Sequence, residues 1–415
     1  MGRSASASRS PRLLIFGTIF LDLVGFGIVI PVLPLYAERF GASPLTIGLL
    51  LAIYSAMQCL CAPLLGRLSD RVGRRPVLLL SVIGTAAGFL LMGAANSLWL
   101  LFVARVIDGI TGGNISTAQA YIADITPREH RSRGMGLIGA AFGLGFIFGP
   151  AIGGLLSHIS LAAPFFFAAF LAAANAAAIY WFLPESLPAE RHPVEGGAFP
   201  GPSPRNRSAI SGGHQASEHP SLSAMFQQAR RRPLGVILLA YFFTTVSFSL
   251  LTATYALFTE RRLGYTAAQT GYIFAGQGLL GAIIQGGLLG WLVKAFGDKK
   301  LVIAGTAALA ASLFLLPRST TTAFLLWVTT GVAIGHSLAL APLNGLASKS
   351  VDEASQGRVL GMMQSAASLA RIAGPVLGGW LLNYDVLRLA GAFGRTAYWA
   401  GGVVALLAVG LAMAL

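Results

Sequence analysis

Long apolar stretches alternate with short polar connections along nearly the whole chain. Twelve runs can be marked off, roughly 13–37, 46–66, 76–95, 98–121, 136–157, 161–183, 234–258, 267–293, 300–317, 321–346, 358–382 and 391–415. A helix needs about 20 apolar residues to cross a bilayer, so each run predicts one crossing. Their glycines and prolines do not veto helix, because neighbouring helices in a bundle re-satisfy freed backbone groups. Small residues also let helices approach closely, a use that fits Gly139-Ala140-Ala141-Phe142-Gly143-Leu144-Gly145. One stretch breaks the pattern. Residues 184–232 are rich in Pro, Gly, Ser, His and Arg without an apolar period, which predicts a flexible linker. The expectation is an all-α membrane protein with twelve transmembrane helices in two six-helix halves, 1–183 and 233–415, joined by a cytoplasmic linker, 184–232.

Two phrases recur between the halves. Gly149-Pro150-Ala151-Ile152-Gly153-Gly154 returns as Gly374-Pro375-Val376-Leu377-Gly378-Gly379. The connection Gly66 to Arg75 is echoed by Gly290 to Lys299 at almost the same offset. Two repeated membrane bundles are the usual build of a secondary transporter, with substrate handled between them.

Composition agrees. Hydrophobic residues make up 55% of the chain and charged residues 11%, against about 25% charged in a soluble domain. The net charge of +14 would suggest nucleic acid in a soluble protein. Here the positive-inside rule accounts for it. With the N-terminus in the cytoplasm, the opposite side holds only Arg39, Arg261, Arg262, Arg318, Arg388 and Arg395 of the 29 Lys and Arg. Both termini are therefore expected in the cytoplasm, and no nucleic-acid partner is implied. No cleavable signal peptide is evident. The first six residues fit the short myristoylation pattern, which carries little weight alone. Cys59 and Cys61 point in different directions on a helix, so neither a disulfide nor a metal site follows. The scattered His192, His214 and His219 read as solvated linker residues.

Charges inside spans are costly, and each is a functional candidate. Asp22, about ten residues into the first run, is the leading proton site: a carboxyl group at that depth can be loaded with a proton and unloaded again. Its plain alternative is a hydrogen-bonded structural acid. Arg105 and Asp108 are three apart and share a helix face, which reads as a self-neutralising pair, with a part in proton passage left open. His336 is the one histidine deep in a run; such residues more often pack than titrate. Arg371 keeps its charge, so it must meet a carboxylate, carbonyls or a water-filled cavity. It is a candidate partner for an acid such as Asp22 or for an anionic substrate group. In the 66–75 connection, Gly66 allows close helix contact and Gly73 a tight turn. Asp70 and Arg74 can form a charged latch against the other half, or simply set topology.

These phrases carry a resemblance. The 66–75 loop resembles the signature loop of the major facilitator superfamily, and Arg105-Val106-Ile107-Asp108-Gly109 its fourth-helix motif. Gly145, Gly149, Pro150 and Gly153 resemble the fifth-helix motif of its drug/proton antiporters. Asp22 to Gly27 with Pro31 to Pro34, Tyr54 to Pro63, Tyr121 to Asp124 and Leu257 to Glu260 are similar to the tetracycline/proton antiporters. The resemblance implies that Asp22, Arg105 and Asp108 serve proton coupling. It implies gating by Gly66, Asp70, Gly73 and Arg74. Gln58, Asn114, Gln119, His336, Asn344 and Arg371 are taken as the substrate path. Three positions depart from the tetracycline exporters, which carry acids on the third and ninth helices and a histidine on the eighth. Here they are Gly88, Leu309 and Gly281, so weak handling of tetracycline, which leaves as a metal chelate, is expected.

The reading is a proton-coupled exporter of drug-like or amphipathic small molecules, a monomer in a bacterial inner membrane, without cofactor or metal. The alternative is an uptake symporter or facilitator for sugars or organic anions. A non-transporting receptor or scaffold on the same fold is the remaining rival; nothing resembles the nucleophile–base pair of an enzyme.

Overall fold

The computed structural model describes residues 10–126, 131–187, 232–351, 355–388 and 392–415. Almost all of the expected linker lies outside these residues, as do Met1-Gly2 and the three linker histidines. Fourteen α-helices follow one another, with no strand among the described residues. They are α1 Ser10–Glu38, α2 Pro44–Val72, α3 Arg74–Gly93, α4 Leu98–Thr111, α5 Asn114–Ile125, α6 Arg131–Ser157 and α7 Ala163–Phe182. Then come α8 Arg232–Leu263, α9 Ala267–Ile283, α10 Leu289–Phe296, α11 Asp298–Leu315, α12 Thr322–Lys349, α13 Gln356–Arg388 and α14 Arg395–Met413.

Two expected crossings are each built from two helices. α4 and α5 meet at Gly112-Gly113 and form one apolar run, Leu98–Ile125. α9 and α10 are joined by a π-helical turn, Ile284–Leu288, whose Gly286-Gly287 pair loosens the ladder. Eleven runs are long and apolar enough to span a membrane. The twelfth of the expected set is α13, which is 33 residues long but carries Gln364, Ser365, Ser368 and Arg371 in its first half.

Local chemistry explains the ends. Ser43 accepts the amide of Thr46 at 3.2 Å to start α2, and Thr266 with Gln269 forms a capping box on α9. α14 starts after Gly394 with no side-chain cap of its own. The buried Asp385 of α13 supplies one from a distance, accepting the Thr396 amide at 3.2 Å.

The recurring Gly-Pro-x-x-Gly-Gly phrase has the same use in both places. Its first and second glycines pack within their own half. A Cβ on Gly149 would sit 2.7 Å from Gly27 Cα, and one on Gly153 3.1 Å from Ile28 Cα, both on α1. Likewise a Cβ on Gly374 would sit 2.8 Å from Leu250 N, and one on Gly378 2.8 Å from Thr254 Cγ2, both on α8. The last glycine reaches across. Gly154 lies against Ala268 and Gly271 of α9, and Gly379 against Pro44 and Gly48 of α2. The two sets of helices thus meet along α6–α9 and α2–α13, at the end that holds the 39–43 and 264–266 connections. Toward the other end the same helices part: Gly139, Gly143, Gly286, Gly290, Gly357 and Gly361 face open space.

Candidate functional site

The in-span charges gather around Tyr54, on α2. Its buried ring has Asp22, Arg105, Asp108 and Arg371 all within electrostatic reach. Arg105 is only 1% exposed. Its Nη1 donates to Asp108 Oδ2 at 2.9 Å, its guanidinium stacks 4.3 Å over the Tyr54 ring, and its Nε has no partner. The pair neutralises itself along one helix face, as the spacing predicts. Asp22 is half-buried at mid-depth on α1 and has no cation within ion-pair distance among the described residues. The Asn114 amide faces Asp22, yet neither of its polar atoms reaches hydrogen-bond distance of a partner. Gln58 donates to the Gly112 carbonyl at 2.7 Å and to Tyr54 Oη at 3.2 Å, bracing the α4–α5 joint. Gln119 lies half-buried on α5, outside this cluster.

On the other half, His336 of α12 stacks on Phe248 of α8, centroids 3.6 Å apart and planes at 17°. Asn344, two turns along α12, donates to the Leu340 carbonyl at 3.1 Å and faces Tyr241. Arg371 donates to Ser368 Oγ at 3.2 Å.

The three departures are packing positions. A Cβ on Gly88 would meet Asp108 Cβ at 2.9 Å, so glycine there lets α3 close on α4. Gly281 faces Ser337 Oγ at 3.2 Å. Leu309 is fully buried against Gly335.

The 66–75 connection is tied within its own half. Arg74 Nη1 pairs with Asp70 at 2.7 Å and donates to Ser69 Oγ at 2.6 Å, while its Nε reaches Asp124 at 3.2 Å. Glu185, just past α7, accepts the amides of Arg74 and Arg75 at 2.9 and 3.0 Å, capping the start of α3. Gly73 has φ +112°, and a Cβ there would sit 2.5 Å from that carboxylate, so both backbone and space require glycine. Gly66 faces open space and instead offers its carbonyl to Ser69, at 2.7 Å. The expected latch across the halves is not formed in this conformation, since both carboxylate partners of Arg74 belong to its own half. The second half repeats the plan with signs exchanged. Asp298 at the start of α11 pairs with Lys349 at the end of α12, where Arg74 and Asp124 hold the matching places.

Across the closed end runs an ion pair the sequence reading did not single out. Arg261 Nη2 donates to Glu38 Oε1 at 2.7 Å, joining the ends of α8 and α1, and Arg261 also lies 4.7 Å over the Phe393 ring. Tyr54 and Asp124 entered only inside motif phrases, without a role of their own, and Glu185 was missed. The one available signal was an acid directly after the sixth apolar run, facing four arginines in the 67–75 connection.

Two pseudo-symmetric helical sets, closed at one end around a charged interior, define a membrane transporter. The profile of the Major Facilitator Superfamily matches residues 15–289 and 237–415. The tetracycline resistance protein, class C, of Escherichia coli is 37% identical, covering 89% of this chain and 89% of its own. Multidrug resistance protein 2 of Bacillus subtilis (strain 168) is 27% identical over 90% or more of both: 93% of this chain and 92% of its own. The structure of the human organic anion transporter MFSD10 (TETRAN) superposes with a TM-score of 0.67 at 26% identity, covering 98% of this chain and 99% of its own. The chain belongs to the Major Facilitator Superfamily, a family of multi-pass membrane transporters rather than enzymes.

Proposed function

We propose that the chain exports drug-like or amphipathic small molecules in exchange for protons, by alternating access between two halves, 1–183 and 233–415. The observation that carries this reading is Asp22: an ionisable group at mid-depth, without an ion-pair partner among the described residues, beside the unsatisfied Asn114 amide. A carboxyl so placed can exchange its proton against substrate, while the Arg105–Asp108 pair stays neutral beside it. Relatives named for tetracycline and multidrug resistance support export. The occupied positions Gly88, Gly281 and Leu309 favour lipophilic compounds over metal-chelated tetracycline. With both termini in the cytoplasm, as the basic residues suggest, the closed end faces outward and the present conformation opens inward. The protein then sits in a bacterial inner membrane as a monomer.

The test uses inverted vesicles with an acid lumen and a panel of cationic, neutral and anionic lipophilic dyes. At least one dye should accumulate inside, and a protonophore should abolish the accumulation. Movement without regard to the gradient would make the protein a facilitator. Dye leaving the lumen with protons would make it an uptake symporter.

The 66–75 connection is read as the inner gate, with Asp70 and Arg74 closing on the other half in the outward-open state. A surface ion pair contributes about 0–1 kcal/mol, and a helix end adds to that. About 1.4 kcal/mol changes a two-state balance tenfold. Asp70→Asn should therefore favour the inward-open state and slow turnover, with folding stability little changed. Cysteine labelling at the inner mouth, in a background lacking Cys59 and Cys61, should rise. Unchanged labelling together with unchanged transport would reduce the loop to an orientation signal.

A further inference from the structure

Arg371, unlike Arg105, is an in-span cation without a carboxylate partner among the described residues. Its guanidinium cannot shed its charge, and a buried cation is stabilised only by a partner. Arg105 has Asp108 at 2.9 Å. Arg371 has no carboxylate within ion-pair distance among the described residues; its hydrogen bond goes to the Ser368 hydroxyl, which leaves most of its five donors free. Its electrostatic neighbours are the phenols of Tyr241 and Tyr54 and the side chain of Cys59, none of them a carboxylate. Four helices, α2, α8, α12 and α13, bring these groups together, with Asn344 beside Tyr241.

The position suits an arriving ligand. Pro375, one turn farther along α13, presses on Gly48 in the closed seam. Arg371 itself is half-buried, on the open side of that seam. An apolar wall lies near it. Tyr241 and Phe248 are two turns apart on α8, and Asn344 and His336 are two turns apart on α12, so the stacked Phe248–His336 rings lie two turns from the Tyr241–Asn344 pair along the same two helices.

We propose that Arg371, with Tyr241, Asn344 and Ser368, is a subsite for the carboxylate of an amphipathic organic acid, whose ring system rests on Phe248 and His336. The planar fork of the guanidinium matches a carboxylate with two parallel hydrogen bonds. Tyr241 donates a further one. The proposal rests on reading the space between the halves as the substrate path, and it adds a substrate class to that path.

The test is equilibrium binding of radiolabelled 2-naphthoate to the purified full-length chain in detergent, with 2-naphthamide as the uncharged competitor of the same shape. The wild type should prefer naphthoate by about tenfold or more, as expected for a charge-assisted pair. Arg371→Gln should erase the preference, with naphthoate falling to the naphthamide level. Arg371→Lys should keep part of it, because a point charge remains without the fork; this variant also decides the matter if the glutamine form fails to fold. An unselective wild type, or an Arg371→Gln protein that still prefers naphthoate, overturns the subsite. Displacement of naphthoate by phosphatidylglycerol at equal concentration would reassign the arginine to a lipid headgroup and also overturn it. The vesicle assay on the wild type reports the export reading separately. Naphthoate selectivity that depends on Arg371, without any gradient-driven flux, would keep the subsite and remove proton-coupled export.

Discussion

Asp22→Asn should leave the protein folded and reduce gradient-driven dye accumulation in inverted vesicles to the level of vesicles without the protein. The amide keeps the shape and polarity of the side chain but cannot take up or release a proton. Folding should survive because Asp22 is tied to no ion pair, so its replacement strands no buried cation. The same reasoning predicts a harsher result for Asp108→Asn, which would leave Arg105 charged and unpaired among buried neighbours. Thermal unfolding in detergent separates the two. Asp22→Asn should unfold near the wild-type temperature and Asp108→Asn clearly below it. Exchange of substrate across the membrane without a gradient should persist in Asp22→Asn, since the binding surfaces remain. Normal accumulation in Asp22→Asn would make the acid structural and move proton coupling elsewhere.

The architecture was readable because a bilayer imposes a simple rule. A helix must cover about 30 Å of hydrocarbon with apolar residues, and that rule marks twelve runs without any tertiary information. The exception is where polar side chains interrupt the rule. α13 is the least apolar expected crossing because it carries Arg371 between two serines and a glutamine on one side and the Gly374-Pro375 seam on the other. The Arg105–Asp108 pair was legible because a spacing of three is a local property of one helix. What could not be read was everything that depends on which helices meet. Nothing in the sequence places Tyr54 at the hub of four charges from three other helices, since the tyrosine itself looks like any apolar packing residue. Glu38 and Arg261 are 223 positions apart, and their pairing follows only from α1 and α8 ending side by side. The 66–75 connection was half legible: its glycines and charges stood out, but its counter-charges Asp124 and Glu185 lie at the ends of other helices.

The recurring glycines carry the second large effect. Gly48 faces the Pro375 carbonyl so closely that a Cβ there would overlap its oxygen and sit 3.1 Å from its carbon, with Gly379 Cα at 3.3 Å. Both partners are backbone, so no side chain can swing aside. Gly48→Val should therefore wedge the α2–α13 seam open. Overpacking of this kind costs about 1–3 kcal/mol, and about 1.4 kcal/mol is a tenfold change in a two-state balance. The penalty applies to the conformation seen here and is relieved when the seam parts, so it shifts the balance toward the outward-open state rather than toward unfolding. Gly276→Val is the control: that glycine is exposed on α9 with no atom within 4 Å of a Cβ, so the same bulk on a helix should change little. The reporter is Leu45→Cys, whose backbone lies 3.2 Å from the Cβ direction of Gly379 inside the seam, in a background lacking both native cysteines. A membrane-impermeant maleimide added from outside should label it roughly tenfold faster in Gly48→Val than in Gly276→Val, with gradient-driven accumulation lost only in the former. Equal labelling and equal transport in the two variants would mean that the α2–α13 contact does not open during the cycle. The rocking of the halves about a central acid would then have no hinge at these glycines.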